Sequence, residues 1–208
     1  MSKKIILFGF ILVGMISCQI KEASLPILGR TTMDEQGNEV PHQIPDFSFI
    51  NQYGETVTNA DLEGKVYVTD FFFTSCPTIC PVMKSQMLRV YEHFMEDESL
   101  AILSHTIDPY HDSVQVLQDY AAALGVTGKK WQFVTGDQDE IYKIAEKSYM
   151  VAAAQDTIAP EETGGFIHSG AFILVDKKRH VRGVYDGTVE EQVNQLMKDI
   201  ELLLKEED

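Results

Sequence analysis

The element order strand, helix, strand, helix, strand, helix, hairpin, helix predicts an α/β fold, a central mixed sheet flanked by helices with an N-terminal β-hairpin extension. Three observations predict it. Apolar runs of strand length at 66–73, 101–107 and 131–135 are each followed by apolar residues at helical spacing. The run within 166–176 is followed instead by the basic turn Lys177-Lys178-Arg179-His180 and a second strand, 181–185. The 208 residues, 44% of them hydrophobic, suffice for one well-buried domain with tails and exclude general disorder.

Lys3-Lys4, the apolar run Ile5 to Ile16 and then Ser17-Cys18 have the charged, apolar and small-residue order of a secretory signal. The run is too short for the roughly 20 residues a bilayer span needs. Residues 1–17 therefore read as a lipoprotein-type signal peptide, with Met15-Ile16-Ser17 a loose lipobox and Cys18 the residue to be lipidated. An uncleaved short anchor would also place the domain outside the cytoplasm. The expected location is an exported lipoprotein, held at the membrane by its anchor and facing the periplasm or cell exterior. Residues 18–45 contain three prolines, Gly29 and Gly37 without a sustained apolar period, and read as a tether with a short hairpin near Gly37-Asn38. If flexible, it spans about 30 Å on average. The domain then occupies 46–208.

Within the domain, Phe47–Thr58 alternates around a tight turn and predicts the added hairpin. A short helical turn at Asn59–Lys65 leads into strand 66–73. Pro81 opens a helix to about Met95, and strand 101–107 ends at Asp108-Pro109. Ser113 is placed to cap a helix that Gly125 ends. After strand 131–135, acids at Asp137, Asp139 and Glu140 open a helix to about Tyr149, as the helix dipole prefers. Val151 to Gly165 is small, polar and acidic and reads as a loop or frayed hairpin beside the next strand. Glu190–Lys205 closes the chain, apolar at Val193, Leu196, Met197, Ile200, Leu203 and Leu204.

The formal charge of −15, from 17 basic and 32 acidic residues, repels nucleic acid and anionic lipid as a whole, setting nucleic acid aside, and suits cationic cargo or basic partners. Of three cysteines, Cys18 goes to lipid, leaving Cys76 and Cys80 in Cys76-Pro77-Thr78-Ile79-Cys80-Pro81. The loop that these two would close is too short to stabilise the fold much, so the pair reads as a working one. It lies where a strand ends and a helix begins, and there the dipole favours thiolate.

On these residues the chain resembles the SCO/SenC family of copper-handling, thioredoxin-fold proteins that serve cytochrome c oxidase assembly. The resemblance runs from about Pro45 to the C-terminus. It rests on the CPxxCP motif, on Asp108-Pro109 with Asp112 as a DP-x-x-D element, and on His168, 88 positions after Cys80. It implies copper, as Cu(I) and/or Cu(II), on Cys76, Cys80 and His168, and a copper-accepting oxidase subunit as partner. The residues agree: two thiolates and an imidazole form a soft, low-coordinate set suited to Cu(I) and able to hold Cu(II). Without an evident fourth ligand, they fit a transfer site better than a closed zinc site. Two positions depart from the family, Thr78 and Ile167, where an acid is common.

The alternative function is a thiol-disulfide oxidoreductase using Cys76 and Cys80 as its redox pair, acting on an oxidase subunit or another exported protein and recharged by a thiol reductant protein. The wider CxxxC loop, and Gly170 where such enzymes have a cis-proline, count against it. A peroxiredoxin would need an activating arginine that the sequence does not locate. The remaining candidates are read as structural. His105 is packed within a strand and His111 is solvated; His42, His93 and His180 are exposed; Met83 and Met87 are core; Asp108 and Asp112 cap a helix or shape the loop beside the cysteines.

Overall fold

The computed structural model describes residues 24–156, 158, 163 and 165–206, apart from the side chains of Ile167 and His168. Residues 1–23, with the expected signal peptide and Cys18, lie outside the described residues. Strands β1 (Thr32–Met33) and β2 (Glu39–Val40) form a small hairpin around Gly37, as the sequence suggested. A second hairpin joins β3 (Ser48–Asn51) to β4 (Thr56–Thr58). Then come β5 (Val66–Phe72), α1 (Cys80–His93), β6 (Leu100–Thr106), α2 (Val114–Ala123), β7 (Trp131–Thr135) and α3 (Gln138–Lys147). The chain finishes with β8 (Ala153–Gln155), β9 (Phe166–His168), β10 (Ala171–Val175), β11 (Val181–Asp186) and α4 (Glu190–Lys205).

Seven strands make one mixed sheet in the order β11-β10-β5-β6-β7-β3-β4. The central β5, β6 and β7 are parallel, and the outer strands are antiparallel to their neighbours. Every residue of β5 and β6 is buried, as parallel strands covered on both faces require. Alternation along β5 divides the core. Phe72 stacks on Tyr120 of α2 and meets Phe133 on one face, where α1 also contacts α4. Tyr67 and Phe71 pack against Tyr149, just past α3, on the other. The helices therefore cover both faces, as expected. Met83 and Met87 are 2% and 0% exposed, core residues and not ligands in reserve.

Caps follow the sequence. The Ser113 side chain accepts from Val116 N at the start of α2, and Asp137 accepts from Glu140 N at the start of α3. Gly125, at φ +72°, takes the left-handed position after α2.

The parallel strands give the molecule two ends. Residues after β5, β6 and β7 lie at the cysteine end; residues before them, with the 176–180 turn between β10 and β11, lie at the opposite, basal end. Part of the expected tether is docked at the basal end. Leu28 N donates to Val181 O at 2.8 Å, Ile44 N donates to Arg179 O at 2.9 Å, and Ile44 is fully buried. Arg182 gathers this end together, donating to Leu25 O, Asp176 (2.8 Å) and Glu206 (3.0 Å). A loose spacer thus does not describe residues 24–45. Backbone hydrogen bonds and a buried isoleucine hold both roots of the small hairpin to the sheet.

Two histidines expected to be exposed are not. His42 is half-buried, with Nε2 2.7 Å from Ser148 O, and a Cβ on Gly29 would lie 2.5 Å from its side chain, which explains the glycine. The His180 side chain is 16% exposed, with Nδ1 3.4 Å from Asp176. His42 belongs to the docked N-terminal segment, whose partners are distant in sequence, whereas His180 is held by Asp176 of its own turn.

Arg182 is 7% exposed and buries its charge against Asp176 and Glu206. Arg182→Ala would leave Asp176 buried without its cation, and should cost about 3 kcal/mol in urea unfolding. Adding Asp176→Asn should recover part of that loss.

Candidate metal and thiol site

The site begins with the end of β5. Phe71, Phe72 and Phe73 are buried, and Cys76 N donates back to Phe73 O at 3.2 Å, turning the chain. The turn is held by Asp112, which is fully buried. Its Oδ1 accepts from Thr74 Oγ1 at 2.5 Å; its Oδ2 accepts from Thr74 N at 3.1 Å and from Thr106 Oγ1 at 2.5 Å. One side chain thus ties the segment before the cysteines to the end of β6. This matches the expectation that Asp112 shapes the loop. Asp108 is half-exposed, and burial raises its carboxyl pKa above its ordinary value. His111 is exposed, as expected.

Cys80 is the first residue of α1 and Pro81 follows it, where the lost N–H has no partner to forgo. The two cysteines are thiols, not a disulfide, with Cys76 8% and Cys80 5% exposed. The dipole argument expected both to lean toward thiolate, and the structure separates them. For Cys76, burial pushes the pKa up, but hydrogen bonds from Cys80, from the backbone N–H groups of Thr78 and Cys80 and from the Thr78 hydroxyl outweigh it and bring it below its ordinary value. Thr78 Oγ1 lies 3.6 Å from Cys76 Sγ, so its hydroxyl touches the sulfur. For Cys80, burial, its proton-donating bond to Cys76 and the nearby charges of Cys76 and Asp70 push the thiol far above its ordinary value. Cys76 is the ready thiolate and Cys80 the reluctant one.

The sequence reading passed over Asp70, a lone acid in the apolar run of β5, which was itself the available signal. It is 5% exposed, accepts from Ser104 Oγ, which in turn accepts from Trp131 Nε1, and burial pushes its pKa up to about 7. Asp70, Cys80, Ser104 and Trp131 line a void of about 10 Å³, the size of one water. On the other face of the sheet, His105 stacks on Phe71 and places Nδ1 3.1 Å from Thr69 Oγ1. Burial lowers its pKa to about 3, so it is a neutral core histidine.

His168 ends β9, its backbone paired with Ala153. Its side chain is not among those described, and among the described residues no group of three His, Cys, Asp or Glu side chains is assembled. The neighbours of His168 are placed. The Phe166 ring lies 5.0 Å from that of Phe73, three residues before Cys76. A Cβ on Gly170 would lie 3.7 Å from Ile79 Cδ1, between the cysteines. Gly170 thus stands across from the cysteine loop, where the sequence placed it, and the described residues contain no cis peptide. The expected 151–165 loop is in part the strand β8, paired with β9; residues 157, 159–162 and 164 lie outside the described residues.

Comparison with known proteins agrees with this geometry. The SCO1/SenC family model matches residues 35–205. The SCO1 protein homolog of Bacillus subtilis is 31% identical over 161 residues, covering 76% of this chain and 81% of that one. Among solved structures, a SCO1/SenC family lipoprotein from Bacillus anthracis superposes with a TM-score of 0.71 at 26% identity, over 79% of this chain and 96% of that one. BsSco, a member of the Sco family of cytochrome c oxidase assembly proteins in which a disulfide switch was identified, gives 0.69 at 30% identity, over 80% and 95%. Arabidopsis thaliana ScoI with copper bound gives 0.62 at 25% identity, over 76% and 98%.

The split between the thiols should be visible in alkylation: at neutral pH iodoacetamide should modify Cys76 first, with mass spectrometry locating the adduct, and Cys80→Ala should move the Cys76 reactivity profile to higher pH by removing a donor to its thiolate. Asp70 gives a second pH effect. Its carboxyl holds a proton up to about pH 7 in the folded state and up to its ordinary 3.8 when unfolded. The stability it contributes is full below the lower value and is lost as pH rises through the upper one. Asp70→Asn should therefore stabilise the protein relative to wild type at pH 8 and not at pH 4 in urea titrations.

Proposed function

The chain belongs to the SCO1/SenC family, and we propose that it is a membrane-tethered copper chaperone, carrying copper on Cys76, Cys80 and His168 to a copper centre of a cytochrome c oxidase subunit. The observation that carries this reading is the pairing of two largely buried cysteine thiols, not joined in a disulfide, at the junction of β5 and α1, with the backbone of His168 between Phe166, whose ring meets Phe73, and Gly170, which faces Ile79. Two soft sulfurs and one imidazole nitrogen suit Cu(I), and the nitrogen lets the site accept Cu(II). Relatives with copper bound share the fold. Binding draws a proton from each thiol that carries one. Cys76 gives its proton up readily, whereas Cys80 resists. Affinity should therefore rise with pH, and an acidic encounter should favour release. The tether is the lipid proposed on Cys18; among the described residues no helix is long and apolar enough to cross a membrane.

A second reading, a thiol-disulfide oxidoreductase, draws support from the same asymmetry. A thiolate-prone Cys76 would attack a partner disulfide, and Cys80 would lose its proton, attack Cys76 and release the partner as a dithiol. The chaperone reading is preferred because Gly170 with His168 two residues before it faces the loop in place of a cis-proline.

Copper titration of the reduced protein tests the proposal. Cys76→Ser or Cys80→Ser should nearly abolish Cu(I) binding, and His168→Ala should weaken Cu(II) more than Cu(I). Oxidation of the pair to a disulfide should release the metal. Stoichiometric tight copper in the double serine variant would overturn the site; reduction of a disulfide substrate without any copper binding would favour the second reading.

A further inference from the structure

The basal end carries a local basic turn, Lys177, Lys178 and Arg179 after β10, beside the docked N-terminal segment; Lys129 there is paired with Glu55 at 2.8 Å, and Glu96, Asp97 and Glu98 precede β6 at the same end. Several basal acids are already paired there: Asp46 with Arg179 at 2.6 Å, and Asp176 and Glu206 with Arg182. The opposite end carries exposed acids at the starts of α3 and α4, namely Asp137, Asp139, Glu140, Glu190 and Glu191. Beside the basic turn an open groove of about 430 Å³ is lined by Asn59, Ala60, Glu63, Lys177, Lys178 and Arg179. The N-terminal segment docks at this same end. Ser24 accepts from Arg182, and Ile27 and Met33 are exposed at 44% and 66%.

We propose that this basal end is a membrane-facing surface, on which Lys177, Lys178 and Arg179 meet the anionic headgroups of the bilayer that holds the chain, so that Cys76 and Cys80 face away from it. The inference rests on the proposed lipid at Cys18. Five residues lie between Cys18 and the docked Ser24, and the six Cα-to-Cα steps reach at most about 20 Å. That length keeps the basal end at the bilayer and prevents the domain from turning over to present the other end. The anionic surface adds a local contact with the basic turn. The seven residues of β5, about 23 Å at strand rise, then set the cysteine pair outward. A partner must offer its metal-accepting site at that height, on a face turned toward the membrane or beside it.

The test uses the full chain, produced with its lipid and reconstituted in vesicles of phosphatidylglycerol and phosphatidylcholine. A photo-crosslinking amino acid is placed either at exposed Ala60, in the basal groove, or at Tyr110, 85% exposed at the cysteine end. Lipid adducts should form from position 60 and be absent from position 110. Lys178→Glu should lower the yield at position 60 by a factor on the order of ten, leaving copper binding unchanged. Adducts from position 110 at equal or greater yield, or none from position 60, in protein whose Cys18 carries lipid, would overturn the orientation alone. Mass spectrometry showing Cys18 without lipid would overturn the tether and this inference with it, and would leave the copper reading standing.

Discussion

The carboxyl group of Asp112, fully buried and closed round by Thr74 and Thr106, decides where β5 stops and hence where both cysteines stand. A strand as apolar as Val66–Phe72 has no local reason to end at Phe72. It ends there because the next residues find better hydrogen bonds with a side chain from the loop after β6 than another rung of the sheet would offer. From that point the chain must reach α1 within a few residues. That tight turn places Cys76 under the N–H groups of Thr78 and Cys80, while Cys80 is driven into the core.

The separation of the two thiols follows from this geometry. Donors converge on Cys76, and burial outweighs the helix dipole at Cys80. Asp70 reinforces the difference from beneath, since any charge it carries works against a thiolate at Cys80. In the proposed copper site a soft cation would relieve the tension by replacing the reluctant proton, and protons or a better ligand set would favour its release.

The sheet also sets function at a distance. Because β5, β6 and β7 are parallel, everything chemical gathers at their C-terminal end, and everything connecting gathers at the other. Arg182 sits at that second end, binding the N-terminal segment, the turn after β10 and the close of α4 into one ion-paired cluster. The basic turn Lys177-Lys178-Arg179 lies at the end where the N-terminal segment docks.

Local pattern was enough for much of this protein. The alternation at Phe47–Thr58, the apolar run before Cys76, the Ser113 cap and Gly125 are all decided by neighbours within a few residues, so the strands, helices and hairpins could be read directly. So could the cysteine pair, whose spacing and placement are themselves local. What the sequence could not decide depended on partners far along the chain. Residues 24–45 look like a spacer because their hydrogen bonds are made to Arg179 and Val181. His42 looks exposed for the same reason, since its partner is Ser148, whereas His180 is drawn in by Asp176, four residues away, once the turn closes. The unlike acidities of Cys76 and Cys80 were also out of reach. They arise from burial and from the directions of a few donors, quantities that exist only once Asp112, from the loop after β6, has closed on Thr74.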